Sequence, residues 1–329
     1  AADPTRRWLR LAELVREHGG EQARKGATAL RLAAQIAQAM DRLLVEEVAP
    51  EQLWSDEVLN VLADLSHHWS ANTRLFAVVQ QYWLAELAQR GEVDAATRRN
   101  MLFNAAARKW RMAPPIAPIV AAGITSAAPA LARLLKVISG LPQGGVILPD
   151  LDLSMDDAVW DELGCAGAPK EPDGPVFARG DAVTHPQYHL KLLLNRMGVA
   201  RGEVQQWHRA GMAKGPPERT HAISSLFLPP QASKRWATMP AEQRRLAGVR
   251  IMNTANPEEE AQAIALLIRQ SLEEPEKRVA LVTPDRSLAG RVTAHLQRWN
   301  IVADDTAGKP LSQTVAGRVL LLLGEIMAD

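Results

Sequence analysis

A chain of 329 residues with 47% apolar side chains has the length for two or three domains with cores of their own, and 38 Lys and Arg against 37 Asp and Glu leave it at a net charge of +1. That balance excludes a globally basic nucleic-acid binder and leaves room for a local groove. One cysteine, Cys165, excludes a disulfide framework, a Cys-ligated zinc site and a four-Cys iron–sulfur cluster within the chain, and no run approaches the roughly 20 apolar residues of a membrane-spanning helix.

In chain order, residues 5–110 read as helices rich in Ala, Leu, Arg, Glu and Gln. Trp8, Leu11, Leu14 and Val15 form one apolar stripe, and further helices are expected at 27–44, at 51–69 behind Pro50, at 72–90 with Leu75, Val79, Trp83 and Leu87, and at 94–110. Nine Trp against two Tyr and four Phe point to indoles as anchors of helix packing. Charges over this helical stretch balance, so solvated faces are expected in place of a single-sign patch. The opening AADPTRRWLR lacks a signal pattern and an initiator Met, and the closing RVLLLLGEIMAD is an apolar helix without a stop signal, so a cytoplasmic fragment of a longer protein is expected.

Residues 114–152 form the clearest strand–helix–strand unit: an apolar run at 116–122, a helical repeat at 129–138 and a second β-rich run at 144–148 after Gly144-Gly145. Such a unit implies a parallel sheet, whose ligand edge would be the loop Ala122, Gly123, Ile124, Thr125 and Ser126. An ATPase needs a carboxylate there for Mg²⁺, and Ala122-Gly123 supplies none. Residues 153–187 mix Asp156, Asp157, Asp161 and Glu162 with Gly and Pro and read as a solvated connection without the spacing of a calcium loop. His185 and His189 have the i, i+4 spacing of a zinc pair but no third ligand, which favours packing at a helix start. Residues 196–219 carry Arg196, Arg201, Arg209, Lys214 and Arg219 against Glu203 and Glu218, with Trp207 and His208 among them, a pattern that fits either a single-strand DNA surface or a basic loop. A second α/β unit spans 248–329, with strands expected at 249–253, 278–282 and 301–302, a helix opened by Asn256-Pro257 and its three glutamates, and another at 285–299. Gly308-Lys309-Pro310 lacks the first Gly and the hydroxyl of a phosphate loop, and no catalytic set can be assembled.

Residues 119–135, followed in order by LPQGGVILPDLD, HPQYHLKLLLNRMGV, TANPEEEAQAIALLI and VALVTPDRSLAGRVTAHLQRWNI, resemble the AddB subunit of the AddAB double-strand-break repair helicase-nucleases in its alphaproteobacterial form. More intact members of that family end the first strand Asp-Gly-Phe-Thr; here it reads Ala122-Gly123-Ile124-Thr125. The resemblance implies an α/β fold of two incomplete RecA-like, superfamily I helicase-like lobes with a large helical insertion. Residues 1–112 would be the insertion, 113–152 the late strands of the first lobe, 153–247 an irregular and helical connection, and 248–329 a truncated second lobe. Thr283 stands where the family's nucleotide-contacting Arg falls, and Arg286 lies three residues on. The resemblance further implies no cofactor in this stretch, the iron–sulfur cluster and Mg of intact members belonging to a nuclease region outside it. Single-stranded DNA and an AddA-type motor-nuclease subunit would be the partners, with no membrane. Thr125, Ser126, Thr283 and Arg286, together with Arg201, Trp207 and Arg209, are the candidate DNA contacts. A non-catalytic scaffold is the reading expected; a free-standing α/β enzyme acting on a nucleotide or phosphorylated small molecule, or a pure protein adaptor, are the alternatives.

Overall fold

The computed structural model describes residues 1–20, 27–49, 52–53, 67–207, 217–308 and 310–328. The chain is mostly helical and divides into two compact units, Ala1–Ala247 and Gly248–Asp329. Among the described residues, no helix is long and apolar enough to cross a membrane.

Among the described residues, the first unit begins with the helices α1 (Pro4–His18), α2 (Thr28–Val45), α3 (His67–Gln89) and α4 (Ala95–Met112). Helix α1 starts cleanly because the Asp3 carboxylate accepts from the Arg6 amide at 2.8 Å and Pro4 occupies the first turn. Leu11, Leu14 and Val15 of α1 then meet Ala29, Ala33, Ile36 and Met40 of α2 and Val79, Trp83 and Leu87 of α3 in one core. The break expected near residue 70 is absent: α3 runs through Ser70 and Ala71, which include no Gly or Pro to stop it. Residues 51 and 54–66 of the helix expected at 51–69 lie outside the described residues.

A buried polar cluster ties these helices together. The Trp83 indole N–H donates to both oxygens of Asp94, at 3.1 and 3.2 Å, and Arg7 pairs with Asp94 at 3.1 Å and with Asp41 at 2.7 Å. Burial pushes the Asp94 carboxyl above its ordinary value, while Arg7 and the indole pull it back.

The strand–helix–strand unit follows as β1 (Ile119–Ala122), α5 (Pro129–Ser139) and β2 (Gly144–Ile147). The strands pair in parallel, Ile119 opposite Gly144 and Ala122 opposite Ile147. Leu135 and Ile138 of α5 pack with Ala107 of α4 and with Leu192 and Leu193 of α7 (Tyr188–Met197), so α4 is clamped between the helical core and the sheet layer. Short α6 (Asp157–Glu162) buries Val159 with Met155 and Leu163; α8 (Pro217–Ser224) and α9 (Arg235–Thr238) complete the unit.

The second unit contains α10 (Pro257–Ser271), α11 (Arg286–Gln297) and α12 (Val315–Ala328). Asn256 caps α10 as expected, its side chain accepting from the Glu258 and Glu259 amides at 3.1 and 2.9 Å. Ala261 and Ala265 of α10 close on Leu288, Val292 and Leu296 of α11.

The α/β expectation survives only in coarse form, since among the described residues the one sheet is the β1–β2 pair. The runs expected as strands at 249–253, 278–282 and 301–302 form no ladder. A strand exists through its neighbour's hydrogen bonds, and no described segment supplies them; Ile251, Val282 and Val302 are 86%, 92% and 94% exposed.

Truncating the fully buried Trp83 to Ala should lower unfolding stability by about 3–5 kcal/mol, the range for an aromatic removed from a packed core. Arg7→Met should cost about 3–5 kcal/mol by leaving the Asp94 charge buried without its cation, and adding Asp94→Asn should recover part of that deficit in urea titrations.

Candidate nucleic-acid interface

At the carboxyl edge of β1 the chain turns at Gly123, whose φ of +70° suits a residue without a side chain. Thr125 and Ser126 stand exposed in the loop beyond it, and the Ser126 hydroxyl accepts from the Ala128 amide at 3.3 Å, just ahead of α5. The loop is held from behind by Arg196 at the end of α7, which donates to the Ala127 carbonyl at 2.6 Å and pairs with Glu46 at 2.8 Å.

Arg201 is already engaged. Its guanidinium pairs with Asp157, lies 5.0 Å from the Trp160 ring centroid and leaves the side chain 11% exposed. Trp207 is open to solvent at 66%. Arg209, with His208 and Lys214, lies outside the described residues. In the second unit, the Thr283 hydroxyl accepts from the Asp285 amide at 3.1 Å, a turn contact at the start of α11. Arg286 places its fork on Asp305, at 2.9 and 2.8 Å, and on the Gly308 carbonyl at 2.9 Å; hydrogen bonding from that guanidinium holds the Asp305 carboxyl below its usual value. Arg201 and Arg286 are therefore each matched by a carboxylate and present no uncompensated charge.

Of the acids of residues 153–187, Asp156, Asp157, Glu162 and Asp181 are engaged. Glu162 accepts from the Gln231 and Ala232 amides at 2.8 and 3.1 Å, and Asp156 pairs with Arg235 at 2.7 Å. Asp181 accepts from the Cys165 amide at 2.9 Å, the Ala166 amide at 3.2 Å and the Tyr188 hydroxyl at 2.9 Å. Burial alone would raise the Asp181 carboxyl; the three donors outweigh it and hold the group below its usual value, and burial with Asp181 pushes the Tyr188 phenol up to about 12. Gly164, at φ +108°, makes this possible, because a Cβ there would lie 2.1 Å from an Asp181 oxygen. His185 precedes α7 and is buried, its Nδ1 accepting from the Gln187 amide at 3.0 Å, whereas His189 is exposed on the helix. Burial holds the His185 imidazole below its usual value against the pull of Asp152. Among the described residues, no group of three or more His, Cys, Asp and Glu converges on a metal position.

A run of uncompensated positive charge lies on α4, where the expected charge balance fails. Its sequence AATRRNMLFNAAARKWRM holds Arg98, Arg99, Arg108, Lys109 and Arg111 and no acid. All five are exposed, and none is in an ion pair among the described residues. The helix turns about 100° per residue, so burying Ala96, Asn100 and Ala107 sends Arg98, Leu102, Ala105 and Lys109 to the opposite side, with Met101 and Arg108 on its flank. Asn100 fixes the rotation, its side-chain amide donating to the Leu44 carbonyl at 2.8 Å. Arg98, Met101, Leu102, Asn104 and Arg108 line a shallow recess of about 510 Å³. From Arg98 to Arg111 the helix rises about 20 Å. The signal was in the sequence, five cations in 18 residues without an acid; averaging over residues 5–110 concealed it.

Comparison with protein-family models, with curated proteins and with solved structures gave no match.

Asp181→Asn should lower stability at pH 7 by about 2 kcal/mol, the scale of hydrogen bonds to a charged acceptor. Because the folded-state carboxyl is depressed, this contribution is complete above the unfolded carboxylate value of about 3.9 and disappears as pH falls through the folded one. Denaturant titrations of both proteins should therefore differ most at pH 7, and the difference should shrink as the pH is lowered through the acid range.

Proposed function

We propose that this chain is a non-catalytic DNA-binding scaffold: the helicase-like part of an AddB-type subunit of a cytoplasmic double-strand-break repair helicase-nuclease, gripping a single strand while an AddA-type partner drives translocation. The sequence resemblance supports the two RecA-like lobes of that reading. The observation that carries it is the exposed, acid-free row Arg98, Arg108 and Lys109 on α4. Guanidinium and ammonium groups so placed attract backbone phosphates without reading bases, which is the contact a strand-gripping subunit needs. Exposed Met101 and Leu102 give sugars and base edges an apolar surface beside that row. Thr125, Ser126 and Trp207 are exposed and offer hydroxyls and an indole as further candidate contacts. At the end of β1, Ala122-Gly123 supplies no carboxylate for magnesium, in keeping with a passive grip.

Fluorescence anisotropy with a labelled oligonucleotide tests this beside an ATPase assay on the same protein. Binding should weaken with salt, and the triple variant Arg98→Glu, Arg108→Glu, Lys109→Glu should flatten the logarithmic salt slope by roughly 0.7 for each phosphate that the variant no longer neutralises. ATP turnover without oligonucleotide binding at low salt would replace this reading with that of a nucleotide-processing enzyme.

A further inference from the structure

Between α4 and α5 lies a second recess, of about 340 Å³, lined by Asn104, Ala107, Arg108, Arg111 and Arg133. Three of its five lining residues are arginines, contributed by two different helices. Arg133 is fixed in place: its Nε donates to the Asn104 side-chain oxygen at 3.0 Å, and its Nη2 pairs with Glu47. Nη1 of Arg133 keeps its hydrogens uncommitted among the described residues, as do the guanidiniums of Arg108 and Arg111. With Glu47 offsetting one of three positive charges, the recess carries a surplus of two.

We infer that this recess binds a phosphate monoester at the end of a nucleic-acid strand, a step that rests on the nucleic-acid reading of α4. The charge selects the ester. A monoester carries close to two negative charges at neutral pH, its second pKa being about 6, whereas an internal diester carries one. Guanidinium forks match phosphate oxygens in pairs, and only a terminal phosphate has three oxygens free to meet arginines from two helices. The position selects the strand. Arg108 and Asn104 line both this recess and the groove that leads along α4 to Arg98, so a terminal phosphate seated here continues directly into diesters lying on the exposed row. A phosphorylated peptide would use the recess alone and leave that row empty.

The test compares one labelled oligonucleotide ending in a 5′-phosphate, in a 3′-phosphate or in hydroxyls at both ends, binding to the full chain at moderate salt. A phosphate at one of the two ends should tighten binding roughly tenfold over the hydroxyl form, the end that responds giving the polarity of the strand. Arg111→Gln should bring that ratio close to one, and lowering the pH from 7.5 to 5 should reduce it in the parent protein as the monoester takes up a proton. Arg111 is exposed and unpaired, so its variant should unfold at the parent's denaturant midpoint; Arg108→Gln, expected to act in the same direction, is the second variant. Equal binding of all three oligonucleotides would overturn the terminal-phosphate site and leave the strand-gripping surface standing. Failure of all three to bind would remove both. A phosphoserine peptide binding as tightly as the phosphorylated oligonucleotide would overturn the assignment to a strand end.

Discussion

The buried carboxylate of Asp94 is the constraint from which the arrangement of the first unit follows. It stands at the entrance to α4, takes the Trp83 indole from α3 and Arg7 from α1, and through Arg7 is linked to Asp41 on α2. One acid thus relates four helices. Arg7 and Asp94 are withdrawn from water and each has its partner, as buried charges require. That pairing fixes the entrance to α4, and the Asn100 amide on the Leu44 carbonyl sets its rotation, with Asn100 and Ala107 inward.

The electrostatic character of the surface follows from how the acids are spent. Near-equal totals of acid and base would permit an even mixture on every face. Here, Asp94 and Asp41 serve the core, Glu46 and Glu47 hold Arg196 and Arg133, and Asp156, Glu162 and Asp181 brace the long connection. None of them lies in α4 beyond its cap position. A chain of nearly zero net charge can in this way display a strongly signed strip, and the strip marks where counterions would be released on binding a polyanion.

Local chemistry made part of this legible in the sequence. The strand–helix–strand unit appears at 119–147 because its turn residues and apolar runs are contiguous, and Asn256 caps α10 because capping acts across three residues. Nonlocal pairing hid the rest. Arg286 reads as a free cation until Asp305, 19 residues later, takes its fork, and Arg201 until Asp157 and Trp160 arrive from 44 and 41 positions away. The apolar runs at 278–282 and 301–302 carry the composition of strands, but a ladder belongs to two segments at once. For α4, composition was sufficient and the window was too wide.

The glycine at 164 bears on how freely this molecule can change over generations. Any side chain there would compete for the volume of the Asp181 carboxylate, so variation at one site is conditional on the other. Shrinking residue 181 would clear the space, yet a backbone at φ +108° would still penalise every L-residue with a Cβ. Two separate barriers therefore guard the same position, and a lineage that lost its glycine would have to rebuild the loop to regain an equivalent structure.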